Sequence, residues 1–367
     1  MKYLKYILCL VWHYPKTGDS LSQENLFMEN KNKSQRKSFI DISKGIGIYT
    51  VVLVHFTVHG SVLSQILLSF CVPLFFIISG MLFSVRRDFR NFLLNLIQKI
   101  IIPLLVYGVI DVFFTAFRYW VIEGQKFNII TLIKMIAKVF FVSGSANSNG
   151  PLWYLPTLAM IEIIMYPVVK SGKKYIPVCA VIFMFIVGYF IHFKGPFRVG
   201  QVPCALVYFG IGIFIKPYIM KLDDSNIKKL ICPLAFIIFG ISCRINGFSE
   251  MAALNYGKYY PLYFITAFSA TIGIITLSMM INHCKILEFF GSNSLTVMCC
   301  HYYFARYIIP WILSMAGVEN ILENELVEVA FSVLLMGIMV FAVMFINKKV
   351  PVLNGTYRLK LINKIIE

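Results

Sequence analysis

One polar run stands out in an otherwise apolar chain: Arg36-Lys37-Ser-Phe-Ile-Asp41-Ile-Ser-Lys44, then ten uncharged residues, then His55 and His59. Histidine suits proton transfer from a hydroxyl near neutral pH, and lysine is a compact cation for an anionic ligand. Lys44 and His55 stand eleven residues apart. On a helix that is almost three turns, so both lie on one face, about 16 Å apart along the axis. They cannot touch, but they can grip two parts of one long ligand. The alternative for His55 is a buried histidine bonded to a neighbouring carbonyl. His59 falls one further turn along, near the outer surface. A metal reading of His55 and His59 at i and i+4 is weak, with no glutamate between them and no further ligand evident. No metal is expected.

The elements that must hold these groups belong to a membrane protein. The chain has 367 residues, 59% of them hydrophobic and only 14% charged. Its mean hydropathy is +0.76. Soluble domains average about 25% charged residues, so this chain cannot coat a globule in water. Disorder, collagen and a disulfide scaffold are excluded by the same figures. A spanning helix needs about 20 mostly apolar residues. On that criterion ten spans are expected, at 45–60, 62–83, 100–119, 152–169, 175–193, 199–219, 229–245, 259–282, 290–313 and 326–347. Residues 127–142 are amphipathic, with Lys134 and Lys138 on one face, and are expected in the interface.

The net charge of +17 would suggest nucleic acid. Sorting the basic residues by side gives another meaning. With a cytoplasmic N-terminus, the inside segments hold 25 of the 34 Lys and Arg and the outside segments 9. That satisfies the positive-inside rule and puts both termini in the cytoplasm. The expected fold is therefore an all-α polytopic membrane protein in the cell membrane. A polar extension covers 1–35, with either Met1 or Met28 as the start, a single membrane domain covers 36–347, and a basic tail covers 348–367. No loop leaves room for a soluble catalytic domain. The nine cysteines form no C-x-x-C and fall mostly in apolar runs, as small buried hydrophobes do. Neither a P-loop nor a dinucleotide fingerprint occurs. Asp111 and Glu162 are ionisable groups within spans, and so is His301, each paired or functional by default. Asp111 is read as a partner of Arg118 or of another helix.

Four segments resemble the acyltransferase-3 family of integral membrane O-acyltransferases, most closely its fucose and exopolysaccharide O-acetylase branch. They are Ile40-Asp41-Ile-Ser-Lys44-Gly-Ile-Gly-Ile with His55 following, and Ser69-Phe-Cys-Val-Pro73-Leu-Phe-Phe-Ile-Ile-Ser79-Gly80-Met-Leu-Phe. The others are Gly150-Pro-Leu-Trp153-Tyr-Leu-Pro156, and Phe290-Gly291-Ser-Asn293-Ser294-Leu with His301 beyond it. The resemblance implies that His55 is the catalytic base. Many members carry Arg where this chain has Lys44, which keeps the charge but not the bidentate grip on phosphate. It also implies acyl-CoA binding by Asp41, Lys44, Arg86, Arg87 and Lys99. The acceptor is expected at Asn149, Trp153 and Tyr154, with His59 and His301 beside it. The turn-rich segment 143–151 leads into that site.

The expected activity is transfer of an acyl group, most simply acetyl, from cytoplasmic acyl-CoA to a hydroxyl of a cell-envelope or exported glycan. Acetyl-CoA enters as donor substrate, and no bound cofactor is expected. His55 acts either as a base on the hydroxyl or as a transiently acylated nucleophile. The alternative from another class is a secondary transporter or flippase for a glycan precursor, with His55 and His59 as a proton relay. Transporters often show related halves, and no half-to-half echo is found here.

Overall fold

The structure is a computed structural model and describes residues 37–125, 128–139 and 149–355. The 1–35 extension, residues 143–148 of the 143–151 segment and the 356–367 part of the tail lie outside the described residues. About 82% of the described residues are helical, with no strand among them. The helices, numbered in order, begin with α1 (Ser38–Val54), α2 (Val62–Leu68), α3 (Cys71–Leu82), α4 (Phe89–Leu96) and α5 (Ile102–Phe117). Next come α6 (Ile129–Lys138), α7 (Tyr154–Lys170), α8 (Tyr175–Phe190), α9 (Val202–Leu222) and α10 (Lys228–Asn246). The last are α11 (Tyr260–Ile281), α12 (Lys285–Ser292), α13 (Ser294–Tyr303), α14 (Ile309–Met315) and α15 (Glu325–Lys349).

Seven continuous helical stretches are long and apolar enough to cross a membrane, and they correspond to seven of the ten expected spans. Helices α8, α10 and α15 present Phe183, Ile237 and Phe341 to the outside of the bundle, as lipid-facing helices do. The chain is a multi-pass membrane protein.

The other three expected spans look different, for local reasons. The first expected span, 45–60, is displaced: α1 runs 38–54 and stops at His55. The amides of His55 and Phe56 bond to Val52 and Leu53 at 3.2 and 2.9 Å, tightening the final turn. The Thr57 hydroxyl then takes the Val54 carbonyl at 2.8 Å, and Gly60 turns the chain at φ +88°. Helix α8 has 16 residues. The ninth span is broken at Asn293, whose side-chain amide takes the Phe289 carbonyl at 2.8 Å and ends α12. A π-turn at Phe304–Ile308 interrupts it again.

Lipid gives helices no hydrophobic reason to associate, so close backbone packing has to supply the attraction. Small residues permit it here. A Cβ added at Gly45 would lie 2.2 Å from the Leu287 carbonyl oxygen, and one at Gly291 would lie 1.8 Å from that of Asp41. These two glycines clamp α1 to α12 backbone against backbone. Gly80 against Phe209 and Gly212 against Ile77 do the same for α3 and α9, at 1.9 and 2.0 Å. The serine and threonine hydroxyls inside α11 bond within the helix: Thr271 and Ser278 each bond the carbonyl four residues back, at 2.7 Å.

The two ends of the bundle are tied differently. At the α1 N-terminus, Lys37 pairs with Asp223 at 2.8 Å and Ser38 donates to Glu288. The hydrogen bond that Lys37 donates to Asp223 holds its ammonium above its ordinary range. At the other end, Gln65 donates to the Cys243 carbonyl at 3.1 Å, and the His59 ring meets Phe248 edge-on at 4.8 Å. The connections after α1, α8 and α10 therefore gather at the His55 end of α1.

Candidate active site

A cavity of about 450 Å³ runs alongside α1. Lys44, Ile48, Val51 and His55 recur along one stripe of α1 and face it. Opposite stand Cys71, Val72, Phe75 and Ser79 of α3. Both Lys44 and Lys99 line the cavity, and so does His55, eleven residues along the helix from Lys44. The walls between them are apolar: Ile48, Val51, Phe75, Leu155, Leu158 and Met298. A narrow apolar passage between cations and an imidazole suits a long ligand with a charged head and a thin arm.

His55 caps the C-terminus of α1, where the chain leaves the helix, so its ring is not bound into a continuing turn. Two residues of α13 hold it. The Tyr302 ring meets it edge-on at 4.8 Å, and the His301 ring lies 5.2 Å away. Arg306 reaches the His55 carbonyl at 3.5 Å. His301 is fully buried, and its Nδ1 donates to the Val297 carbonyl at 2.7 Å. A carbonyl only accepts, so the neutral ring carries its proton on Nδ1 and leaves Nε2 as an acceptor. No partner for Nε2 is found among the described residues.

Of the residues expected at the donor end, the structure brings only Lys44 and Lys99 to the cavity. Arg86 and Arg87 are exposed on the connection between α3 and α4, where the Arg87 carbonyl accepts from Tyr166 at 2.7 Å. Asp41 lies in the first turn of α1 beside Gly291, away from the cavity lining. At the other end, Trp153 and Tyr154 line the cavity, with the Tyr154 hydroxyl 3.2 Å from that of Ser79.

Three of the residues expected at the acceptor lie outside the cavity lining. His59 is not one helical turn beyond His55, because α1 ends at Val54, and its exposed ring packs on Phe248. The same break removes the i, i+4 geometry of a two-histidine metal site. Asn149 is buried, and its amide is spent on the Cys299 carbonyl at 2.6 Å, tethering the chain before α7 to α13. His301 stands behind His55 and not in the cavity wall, because the helical carbonyl four residues back captures Nδ1. Arg118, a candidate partner for Asp111, pairs with Glu123 at 3.3 Å and lies over the Tyr119 and Tyr307 rings.

Sequence reasoning missed Tyr302, Arg306, Lys194, Arg198 and Glu250. Tyr302 had one available signal, its place next to His301. The last three sit on short connections between spans, where pattern says nothing of which loops converge.

The model of the acyltransferase-3 family, described as an acyltransferase domain, matches residues 37–348. That span takes in nearly the whole described bundle, including both ends of the cavity. No curated protein matches, and no solved structure does either.

Proposed function

This chain belongs to the acyltransferase-3 family, and from that premise we propose that it moves an acyl group, most simply acetyl, from cytoplasmic acyl-CoA to a glycan hydroxyl. Membership among acyltransferases sets the transporter alternative aside. The observation that carries the reading is the single apolar cavity with Lys44 and Lys99 at one end and His55 at the other. The nucleotide end of coenzyme A is too highly charged to enter hydrocarbon, whereas its pantetheine arm is thin and uncharged. Lys44 and Lys99 hold the phosphates, the arm follows the apolar walls, and the thioester reaches His55.

In this reading neutral His55 takes the proton of the acceptor hydroxyl as its oxygen attacks the thioester carbonyl. The C–O bond forms, the tetrahedral intermediate collapses with cleavage of C–S, and the imidazolium returns the proton to the thiolate of coenzyme A. Tyr302 and His301 fix the ring plane through the transfer. Trp153 and Tyr154 give the sugar ring aromatic faces to stack on. Arg86 and Arg87, exposed on the cytoplasmic side in this reading, raise the local concentration of the anionic donor without gripping it. The resemblance to fucose and exopolysaccharide O-acetylases supports an exported or cell-envelope glycan as acceptor.

Two tests bear on this arrangement. Lys44→Ala is expected to raise the KM for acetyl-CoA about tenfold with a smaller effect on kcat, as loss of a charge-assisted contact to phosphate does. An unchanged KM would remove Lys44 from donor binding. The second concerns ten crossings with both termini in the cytoplasm, with α1, α8 and the broken α12–α14 segment added to the seven long stretches. On a cysteine-free background, Lys258→Cys should react with an impermeant maleimide in intact cells. Lys173→Cys should react only in inside-out vesicles. Labelling of Lys173→Cys in intact cells would overturn the orientation.

A further inference from the structure

The cavity that His55 lines also carries two cations that donor binding does not use. Lys194 and Arg198 come from the connection between α8 and α9, and both line the cavity. Arg198 is half-buried. Among the described residues, neither side chain has a hydrogen bond or ion pair. Taking a guanidinium part-way out of water without a partner is unfavourable, so such a group is normally matched by an anion.

The backbone holds Arg198 in this pose at some cost. Phe197 and Arg198 both sit in the left-handed region, at φ 51°, ψ 20° and φ 62°, ψ 35°. Two successive non-glycine residues there carry backbone strain, and such strain concentrates at binding sites. The loop is over-determined from both sides. A Cβ on Gly200 would lie 1.8 Å from the Phe193 carbonyl oxygen, and Gln201 donates to the Ala252 carbonyl at 3.1 Å. Ala252 belongs to the turn 250–253, also on the cavity wall and closed by paired Glu250–Asn255 backbone bonds of 2.7 and 3.1 Å.

The neighbouring charges do not neutralise the pair. Lys138 of α6 is close enough that burial and the Arg198 guanidinium hold its ammonium below its ordinary range, and Asp111 offsets it in part. Among the described residues Glu250 is the one carboxylate in the lining, and it lies within electrostatic reach of Cys71 in the α3 wall. Among the described residues of the lining, one carboxylate accompanies half-buried Arg198 and exposed Lys194, which leaves that wall net positive.

We propose that Lys194 and Arg198 form an anion clamp for the acceptor, so that the saccharide accepted at His55 carries a carboxylate or phosphate group. This rests on the acyltransferase reading of the same cavity. Arg198 grips the anion through its planar fork, and Lys194 adds a flexible second charge. The anion then sets which hydroxyl faces His55, because a sugar held at one edge presents its others at fixed distances. A lipid phosphate is the other source of such an anion. The position of both residues on the wall of the reaction cavity favours the saccharide.

Binding to purified full-length protein in nanodiscs of zwitterionic lipid tests this. Titration calorimetry would compare methyl glucoside, methyl glucuronide and methyl glucoside 6-phosphate. At least one anionic sugar should bind about tenfold or more tightly than the glucoside. Arg198→Gln and Lys194→Gln should each shrink that difference to about twofold or less, while Arg198→Lys should retain part of it. Equal affinities for all three sugars, binding of none, or a preference that survives both glutamine variants would overturn the clamp. So would a preference that vanishes only when phosphatidylglycerol is added to the nanodisc, which assigns the cations to lipid. Release of free thiol from acetyl-CoA is followed in parallel. An intact anion preference without acetyl transfer would strike the acyltransferase reading alone.

Discussion

His55→Ala is expected to lower kcat for acyl transfer by roughly a hundredfold to ten-thousandfold, the range associated with loss of a positioned general base. The KM for acetyl-CoA should change little, because the residues that hold the charged head stand eleven positions away at Lys44 and across the cavity at Lys99. Purified protein with radiolabelled acetyl-CoA and an envelope glycan measures both parameters. The substitution also removes the ring that Tyr302 and His301 pack against, so folding needs its own control. His55→Gln preserves most of the volume and a hydrogen-bonding group but cannot take up a proton. It should fold like the wild type and be as inactive as the alanine variant. Transfer at wild-type rate by either variant would eliminate His55 as the base.

The second large effect concerns the fold itself. Gly291→Val is expected to prevent stable assembly, because the first atom of any side chain there would overlap the Asp41 backbone. Overpacking in cores typically costs about 1–3 kcal/mol when side chains can give way. Here the obstacle is the backbone of α1, so α1 and α12 must separate and carry Lys44 out of register with Lys99. Gly240→Val and Gly337→Val are the controls. Nothing lies within 4 Å of a Cβ added at either position, and both helices face the bundle exterior. Yield and thermal unfolding in detergent should fall sharply for Gly291→Val and stay near wild type for the other two. Equal yields for all three would show that the α1–α12 contact does not hold the bundle together.

Much of the architecture was readable from hydropathy because the bilayer imposes one rule on every crossing segment. Backbone groups must bond internally, so long apolar stretches become helices whatever their order. The exceptions were α1 and the ninth span, where side-chain competition by Thr57 and Asn293 for helix carbonyls decided the ends. Such competition is a local geometric outcome and leaves little trace in hydropathy.

The same contrast governs the site. Lys44 and His55 were legible together because they share one helix, and helical periodicity converts spacing into direction. His59 was misplaced by the same rule, applied four residues past the point where the helix stops. The positions of Asn149 and His301 off the cavity wall were not legible, because their partners, the carbonyls of Cys299 and Val297, are backbone groups that no residue type announces. The sequence alone therefore determined the solvent, the helical class, the family and the one helix that carries both a cation and an imidazole. Tertiary structure decided which loops meet at the far end of that helix, and so which residues face the reacting group. The reason is that periodicity acts within an element, whereas the meeting of Lys194, Arg198 and Glu250 in the lining of the cavity that His55 shares depends on how separate helices pack, down to glycines that let their backbones touch.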